Sequence, residues 1–370
     1  MRGISTLELA VLARELSGMK GFHVDKFYEL ADGVFRMRLS RKGERADLQC
    51  ALGITVNATK YIETAEQPTG FALAARKRMS GAIIDSVKQY NDDRILLVRL
   101  LKGDSALNVV LEMFGRGNLV VTDDAMTILL AYRVHDFKDR SVRPGATYSA
   151  PKNSPITIPS IGGSSSELEG LAEKAQQDLS LAAFLSKSVN LGTTYIEDAI
   201  LKAGIDPKAA LGVHLNALPE VWRRIQEARD AIVRPSFVIY EDNGVPVDYS
   251  VVPLKKYEGL ARKEFPAMQE MLDELYYATT PKEAATENRL AKELSISIGK
   301  QKLAVEEMTK SIALNREAGR KIFELLSQIN ALIAYAREHR RATLEELQAQ
   351  FPELSITALD LKTKTVKVSI

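Results

Sequence analysis

The chain is organised around a polar turn that opens directly into a short apolar run, Lys88-Gln-Tyr-Asn-Asp-Asp-Arg-Ile-Leu-Leu-Val-Arg99. A continuous apolar run bounded by turn-type residues is typical of a buried strand. Asn91 and Asp92 suit the turn, and Asp93-Arg94 then stands at the mouth of the strand, on a fixed backbone. Two interpretations stay open. Asp93 pairs with Arg94 or a neighbour in an ordinary turn, or the pair is a contact site for a partner.

Comparable apolar segments occur on both sides of this turn. Gly, Asp-Gly and Asp-Asp signals separate them, and they predict strands at 22–30, 34–39, 46–51, 60–62, 83–87, 95–101, 107–114, 118–122 and 128–134. No β-α-β alternation appears, and no Gly-x-Gly-x-x-Gly follows a strand, which disfavours a Rossmann fold. We therefore predict a strand-rich α+β domain with meander connections over residues 1–160.

Two helices are expected within this domain. Ser5 and Glu8 have the spacing of a capping box at the start of the first helix. The second, over 71–79, ends in Arg76-Lys77-Arg78. Cations in a last turn suit the helix dipole, but three in a row sweep about 200° of the helix and cannot share one face. With Arg94 they would form a basic patch for RNA phosphates, provided that the helix and the strand are neighbours.

The pattern becomes helical over residues 161–234, where Leu191-Gly192 separates two short helices. A helix-hairpin-helix unit of this kind can hold a phosphate at a helix N-terminus, although plain helix packing explains the spacing as well. Residues 235–280 contain a β-hairpin around Asn243-Gly244, a favoured hairpin turn.

Residues 281–370 predict a long helix with a narrow apolar seam, which is typical of a coiled-coil arm. The seam consists of Leu294, Ile298, Val305, Met308, Ile312, Ile322, Leu325, Ile329 and Leu332. It needs a partner helix, and the short helix at 344–350 cannot supply one. Whether the arm pairs within the chain or forms a dimer stays open. We expect the arm to be incomplete and the chain to be the N-terminal portion of something longer.

The amino-acid composition limits the classes of function that the chain can have. The chain has 370 residues, 50 of them basic and 48 acidic, so any nucleic-acid surface must be a local patch. A single cysteine excludes an internal disulfide, and four widely separated histidines leave no zinc-ligand spacing. No apolar run reaches the length of a membrane span. No nucleophile with a positioned base stands out, so we expect no enzyme, cofactor or metal, and a cytoplasmic location.

Four stretches, in one order, resemble the N-terminal domain of the NFACT family, the ribosome quality-control factors called RqcH in bacteria and NEMF in animals. They are Arg2-Gly-Ile-Ser-Thr-Leu-Glu-Leu9, Gly70-Phe-Ala-Leu-Ala-Ala-Arg-Lys-Arg78, Asp93-Arg94-Ile95 and Leu111-Glu-Met-Phe-Gly-Arg-Gly-Asn118. The helical hairpin, the β-hairpin and the heptads resemble the regions that follow in that family. The resemblance covers nearly the whole chain.

The resemblance implies a function in handling stalled ribosomes. Such proteins bind a large ribosomal subunit that still holds peptidyl-tRNA, and recruit tRNA for template-free C-terminal tailing. Their functional Asp-Arg pair corresponds to Asp93 and Arg94, and an acidic residue of their first helix to Glu8, where Asp is usual. The longer Glu keeps the charge and changes the reach. The implied RNA-binding residues are therefore Asp93, Arg94 and Glu8, with Arg76, Lys77 and Arg78 as phosphate contacts.

Three other functions can be set beside this one on the residues of the chain. The resemblance also implies a similarity to the N-terminal domain of formamidopyrimidine-type DNA glycosylases, but the chain begins Met1-Arg2-Gly3 instead of with the catalytic proline, and one cysteine cannot form their zinc finger. An adhesin of the fibronectin-binding kind and a coiled-coil scaffold that binds protein only remain as alternatives. If the protein bound its partner with a marked dependence on salt, this would favour the RNA-binding function over both the adhesin and the scaffold.

Overall fold

The computed structural model describes residues 1–63, 67–280, 284–360, 363 and 365–369; residues 284–297, 299, 300 and 303 are described by their backbone alone. The chain forms two compact units, Met1–Ala285 and Thr286–Ile370. The fold is mixed α+β, as the sequence predicts. The finer division at residues 160, 234 and 280 stays a prediction.

The first unit begins with one helix and continues into a large antiparallel sheet. The elements are α1 Thr6–Leu16, β1 His23–Ala31, β2 Val34–Arg41, β3 Glu44–Ala51, β4 Thr55–Ala58, α2 Gly70–Met79, β5 Ile83–Gln89, β6 Ile95–Lys102, β7 Ser105–Glu112, β8 Asn118–Asp123 and β9 Ile128–Ala131. Their order in the sheet is β4-β3-β2-β1-β5-β6-β7-β8-β9. Strands β1–β4 and strands β5–β9 are each connected as a meander, as predicted, but β4 is an edge strand and β5 pairs with β1, so the chain crosses over once between the two runs. A two-stranded ribbon of β10 His135–Asp136 and β11 Ser141–Val142 follows.

The sheet consists of two halves, β1–β4 and β5–β9. They are joined where His23 on β1 pairs with Ile83 on β5. Apolar side chains of β1–β3, such as Phe27 and Phe35, line the same small cavity as Val109 and Leu119 of β7 and β8. The halves therefore face each other across a shared core. Most of that edge of β1 is not paired with β5, and α2 packs there: the Phe71 ring centroid lies 6.3 Å from that of Phe27 on β1, and Arg76 donates to the Phe27 carbonyl at 2.7 Å.

The prediction of a strand at 60–62 is wrong. The fourth strand is Thr55–Ala58, and its ladder with β3 ends at the Leu48–Ala58 pair. Lys60 then donates its backbone N–H to Asp273 (3.0 Å), and the Tyr61 ring stacks on that of Tyr277 with centroids 3.7 Å apart. The apolar character that suggested a strand belongs to this packing contact.

Helices and a small sheet complete the first unit. They are α3 Ser166–Glu173, α4 Leu181–Ser188, α5 Thr193–Lys202, α6 Leu218–Ala231, β12 Phe237–Asp242, β13 Val245–Ser250, β14 Ala261–Phe265 and α7 Met268–Thr279. The predicted hairpin is confirmed: Asn243 and Gly244 both have positive φ, 49° and 78°, as a two-residue hairpin turn requires. The predicted helical region, with two helices around Leu191-Gly192, is present as α3–α6.

The remaining elements are α8 Ala284–Glu324, α9 Leu326–Glu338, α10 Leu344–Gln350, β15 Ser355–Asp360 and β16 Thr365–Ser369. The predicted long helix is confirmed, with an interruption at Leu325. Ile298, Val305, Met308 and Ile312 are 48–66% exposed. The last seam residue, Leu332, is only 2% exposed because Leu347, Leu354 and Ile356 cover it. The antiparallel pair β15–β16 and α10 thus bury one end of the seam. Residues 281–283 and the Leu294 side chain, part of the predicted arm, lie outside the described residues.

We expect Gly117→Ala to destabilise the chain strongly. Gly117 has a φ of +64°, and an added Cβ would lie 2.6 Å from the Gly53 amide nitrogen and 2.8 Å from the Glu112 carbonyl oxygen. Because both are backbone atoms, the free energy of unfolding should fall by about 3 kcal/mol in urea titrations.

Gly103→Ala is the matched control for this test. Gly103 has a similar φ of +57° but open space around it. The positive φ alone should cost about 1 kcal/mol. Equal losses in both variants would contradict the close approach of these loops.

Candidate functional site

The turn between β5 and β6 has a defined, strained conformation. The Tyr90 amide donates to the Ile95 carbonyl (2.8 Å) and the Asp93 amide to the Tyr90 carbonyl (3.3 Å). Asn91 and Asp92 both have positive φ, 58° and 47°. Asn and Asp tolerate this region better than other non-glycine residues. The turn predicted from Asn91-Asp92 is confirmed. We call residues 90–94 the turn loop.

Asp93 and Arg94 do not form an ion pair with each other. Oδ1 of Asp93 accepts the backbone N–H of Arg94 at 2.7 Å, so this carboxylate orients the Arg94 backbone. The Arg94 guanidinium lies 6.0 Å from the Phe114 ring centroid, and in the part of the chain that the structure describes it has no hydrogen-bond or ion-pair partner. Both side chains are half-buried. The result is an available cation on a fixed backbone.

Three side-chain amides hold the turn loop from outside, and we call Gln89, Asn153 and Asn190 the amide clamp. They donate to loop carbonyls as follows: Asn153 to Asn91 (2.6 Å) and Asp92 (3.2 Å), Asn190 to Asp92 (3.0 Å), and Gln89 to Asp93 (2.9 Å). The first turn of α1 joins the clamp, because Gln89 also donates to the Thr6 carbonyl (3.0 Å) and the Thr6 hydroxyl donates to Asn190 (2.6 Å). Sequence reasoning missed the clamp, since Asn190 and Asp92 are 98 positions apart.

Glu8 lies at the centre of a buried network and is 0% exposed. The capping box is confirmed: the Ser5 amide donates to Glu8 Oε2 (2.7 Å) and the Glu8 amide to Ser5 Oγ (3.2 Å). The carboxylate also binds the Arg2 guanidinium, at 2.5 and 2.9 Å, and accepts the Tyr195 hydroxyl at 2.7 Å. Burial alone would raise the pKa of Glu8, but the charge and hydrogen bonds of Arg2, with those of Ser5 and Tyr195, lower it below its ordinary value.

Arg2 extends this network to the small sheet. Its Nε pairs with Asp248 at 2.6 Å, it donates to the Tyr249 carbonyl at 2.7 Å, and its guanidinium lies 4.1 Å from the Tyr249 ring centroid. We call Arg2, Glu8, Tyr195, Asp248 and Tyr249 the Glu8 network. It connects α1, α5 and β13, so Glu8 supports the frame around the turn loop. A direct contact of Glu8 with RNA stays a prediction.

The turn between α4 and α5 packs directly on the start of α1. Leu7 donates its backbone N–H to the Leu191 carbonyl at 3.2 Å. A Cβ on Gly192, which has a φ of +116°, would lie 2.6 Å from Ser5 Cβ, so only glycine fits. The helical hairpin is thereby fixed beside the amide clamp. Its predicted use as a phosphate site stays untested.

The cations of α2 have separate environments. Arg76 donates from Nε to the Phe27 carbonyl (2.7 Å), and Arg78 donates to the carbonyls of Ala74 (3.1 Å) and Leu129 (3.3 Å). Lys77 is exposed. Arg76 and Arg78 thus help to hold α2 against β1 and β9, which a sequence pattern could not indicate.

The structure does not bring these cations next to Arg94. Lys102, at the far end of β6, donates to the Arg78 carbonyl at 3.1 Å, whereas Arg94 immediately precedes the near end of the same strand. Seven residue steps of a strand span about 23 Å. The expectation of one continuous patch is therefore wrong. Roles in RNA binding for Arg76, Lys77 and Arg78 individually stay predictions.

The described residues lack two further features. They contain no group of three or more His, Cys, Asp or Glu side chains arranged to hold a metal ion. No described helix combines the length and apolarity needed to cross a membrane.

We predict that Glu8→Gln lowers the free energy of unfolding by about 3 kcal/mol at neutral pH, because it removes one partner of a buried ion pair. The folded-state pKa of Glu8 is lowered from 4.5, so its stabilising effect is present above that pH and disappears as the pH falls through the folded pKa. Urea titrations of wild type and variant should therefore converge in acid.

The exposed Asp104 provides the control for this measurement. Asp104→Asn should change the stability by less than about 0.5 kcal/mol. If Glu8→Gln lowers the stability no more than Asp104→Asn does, or if its effect does not depend on pH, the stabilising role of the Glu8 network would be contradicted.

The family model described as NFACT N-terminal and middle domains matches residues 5–361. The chain belongs to the NFACT family, as its motifs predict.

The relatives that the chain matches are larger proteins, of which it covers a part. The chain is 23% identical over 296 residues to the Archaeal Rqc2 homolog aRqcH of Methanocaldococcus jannaschii, an alignment that covers 74% of this chain and 42% of that protein. It is 26% identical over 208 residues to the Ribosome quality control complex subunit NEMF homolog of Drosophila melanogaster, covering 55% of this chain and 20% of that protein. The chain thus spans less than half the length of either relative.

Solved structures share the fold. A fibrinogen binding protein from Staphylococcus aureus matches 74% of this chain and 98% of its own with a TM-score of 0.60 at 18% identity. The N-terminal part of a fibronectin/fibrinogen-binding protein from Streptococcus suis matches 74% of this chain and 99% of its own with a TM-score of 0.55, also at 18% identity. At this identity the likeness concerns the fold alone.

Proposed function

We propose that this protein is a ribosome quality-control factor that binds obstructed large ribosomal subunits and handles tRNA at the turn loop. In this role it recruits tRNA to a subunit that carries peptidyl-tRNA, for template-free C-terminal tailing of the stalled chain. The peptide-bond chemistry belongs to the ribosome, so the protein itself is not an enzyme. The role places it in the cytoplasm, where ribosomes act.

The single observation that carries the proposal is the available Arg94 guanidinium on the clamped turn loop. A protein that recognises tRNA or rRNA without reading duplex sequence needs cations on rigid elements, for phosphate contacts or for stacking on unpaired bases. Positive φ at Asn91 and Asp92, together with the amide clamp, gives the loop that rigidity. Backbone strain held in place by surrounding structure is common at functional sites.

Asp93 has two roles in this proposal. Its Oδ1 fixes the Arg94 backbone at 2.7 Å. Its carboxylate would repel a phosphate, so we assign it a ribose hydroxyl or a base N–H as the RNA partner. Glu8, which is buried, acts as a positioning residue through α1 and the clamp.

Other parts of the chain have supporting roles in the proposal. The helical hairpin around Gly192 contributes to RNA docking beside the loop, and α8 pairs with another helix as a coiled-coil arm, within the whole protein or in a dimer. We further propose that the first domain shares the architecture of formamidopyrimidine-type glycosylase domains and not their activity.

The proposal is tested by co-sedimentation with separated large subunits, with and without peptidyl-tRNA, at two salt concentrations. The double variant Asp93→Ala with Arg94→Ala should still bind subunits but lose tRNA capture about tenfold or more, since one charge-assisted contact contributes about 1.5–3 kcal/mol.

Lys138→Ala with Asp139→Ala is the matched control, since it also removes one cation and one acid from an exposed loop. It should leave tRNA capture unchanged. If the Asp93–Arg94 variant captures tRNA like wild type, the tRNA contacts lie elsewhere. If wild type binds no subunits even at low salt, the protein-only scaffold is favoured, and fibrinogen or fibronectin binding would then favour the adhesin.

A further inference from the structure

A second group of cations surrounds Tyr28 on the face of β1 and β2 that is turned away from the buried Phe27 and Phe35. Four side chains have their charged groups within 6 Å of the Tyr28 ring centroid: Arg36 at 4.5 Å, Lys26 at 5.2 Å, Arg76 at 5.3 Å and Arg38 at 5.6 Å. We call these five residues the Tyr28 cluster. It lies away from the turn loop, because β1 and β5 are antiparallel and run in opposite directions from the His23–Ile83 pair.

The strand register explains how the cluster assembles. Tyr28 is paired with Arg36 across β1 and β2, and Lys26 with Arg38. In a strand, residues two apart share a face, so these four side chains emerge together, opposite the buried Phe27 and Phe35. Arg76 joins them from α2 over the free edge of β1, anchored by its bond to the Phe27 carbonyl.

The charges of the cluster are not balanced by the described residues. Asp47 is the acid that pairs with it, 3.3 Å from Arg36 and 3.8 Å from Arg38. One carboxylate thus faces four cations, and three positive charges remain uncompensated. A cation over a ring gains about 0.5–2 kcal/mol, but the ring cannot neutralise the repulsion between neighbouring cations.

Arg36 is the unusual member of the cluster. It is 1% exposed, and its Nε and Nη1 atoms are buried without a hydrogen-bond partner among the described residues. Arg36 Nε and Asp47 Oδ1 form an ion pair at 3.3 Å without a well-directed hydrogen bond, and Asp47 Oδ1 is likewise buried without a donor among the described residues. A buried donor without an acceptor is costly, whereas the three neighbouring cations remain at least partly accessible. Asp47 compensates the charge of Arg36 only in part, because it also pairs with Arg38. The cluster therefore has the capacity to bind a further anion.

We propose that the Tyr28 cluster is a second RNA-docking site, which binds backbone phosphates independently of sequence. Planar guanidinium groups and an ammonium on neighbouring strands present several donors to adjacent phosphate oxygens. The inference rests on the proposed RNA-binding function and adds a contact surface at a distance from the turn loop. RNA bound at both places would be held by two separated contacts.

The proposal is tested with a fluorescein-labelled oligouridylate of about twenty nucleotides, titrated against the 370-residue chain over a salt series. Lys26→Ala with Arg38→Ala removes two accessible cations and spares Arg36. The affinity should fall about tenfold near 0.1 M salt, and the slope of log K against log salt should become shallower by about 1.4 for two lost phosphate contacts.

Three controls separate docking from folding and from general charge. Arg38→Lys keeps the charge and should bind within about twofold of wild type, because a point charge still serves a phosphate. Arg340→Ala with Arg341→Ala removes two exposed cations from another part of the chain and should leave the affinity and the salt slope unchanged. Thermal melting should be unaltered in all these variants.

The outcomes distinguish this inference from the function on which it rests. If the Lys26–Arg38 variant binds RNA like wild type, or if the Arg340–Arg341 variant weakens it equally, the second site is overturned while the tRNA role of Arg94 stands. If wild type binds neither the oligouridylate nor tRNA at low salt, both are overturned.

Discussion

The ion pair between Arg2 and Glu8 is the interaction on which the arrangement of the first unit depends. A fully buried carboxylate is stable only when its charge is compensated and its oxygens accept hydrogen bonds. Here two donors, Arg2 and the Ser5 amide, come from the N-terminal segment that leads into α1, and the third, the Tyr195 hydroxyl, comes from α5, 187 residues away. Arg2 adds β13 through Asp248. Satisfying one carboxylate therefore fixes the mutual position of these elements.

The turn loop inherits its position from this frame. The start of α1 is held by Glu8 and contacts both Gln89 and Asn190 through Thr6, and these two amides bond to the loop carbonyls. Gly192 packs so closely against Ser5 that a Cβ would not fit between them, which holds the turn of the helical hairpin against the start of α1. Arg94 is thus presented on a backbone with little freedom, which lowers the entropic cost of contacting RNA.

Local patterns predicted most of the fold, and the remainder depends on contacts that no local pattern contains. The Ser5–Glu8 capping box, the Asn243-Gly244 turn and eight of the nine predicted strands depend on patterns within a few residues, and all of these are confirmed. The prediction of a strand at 60–62 failed because the aromatic side chain of Tyr61 stacks on Tyr277 and does not belong to a strand. Of the candidate site, the motif gave Asp93 and Arg94, but their distance from α2, the burial of Glu8 and the amide clamp follow from tertiary pairing.

The central claim is that the turn loop contacts tRNA. Hydrogen–deuterium exchange of the 370-residue chain with and without tRNA tests it most directly, because exchange reports the protection of individual backbone segments. The account predicts added protection at residues 90–94 and at the adjoining 189–192 turn, which is lost when Arg94 is replaced by Ala. Protection elsewhere with none at these residues, or protection that is unchanged in Arg94→Ala, would contradict it.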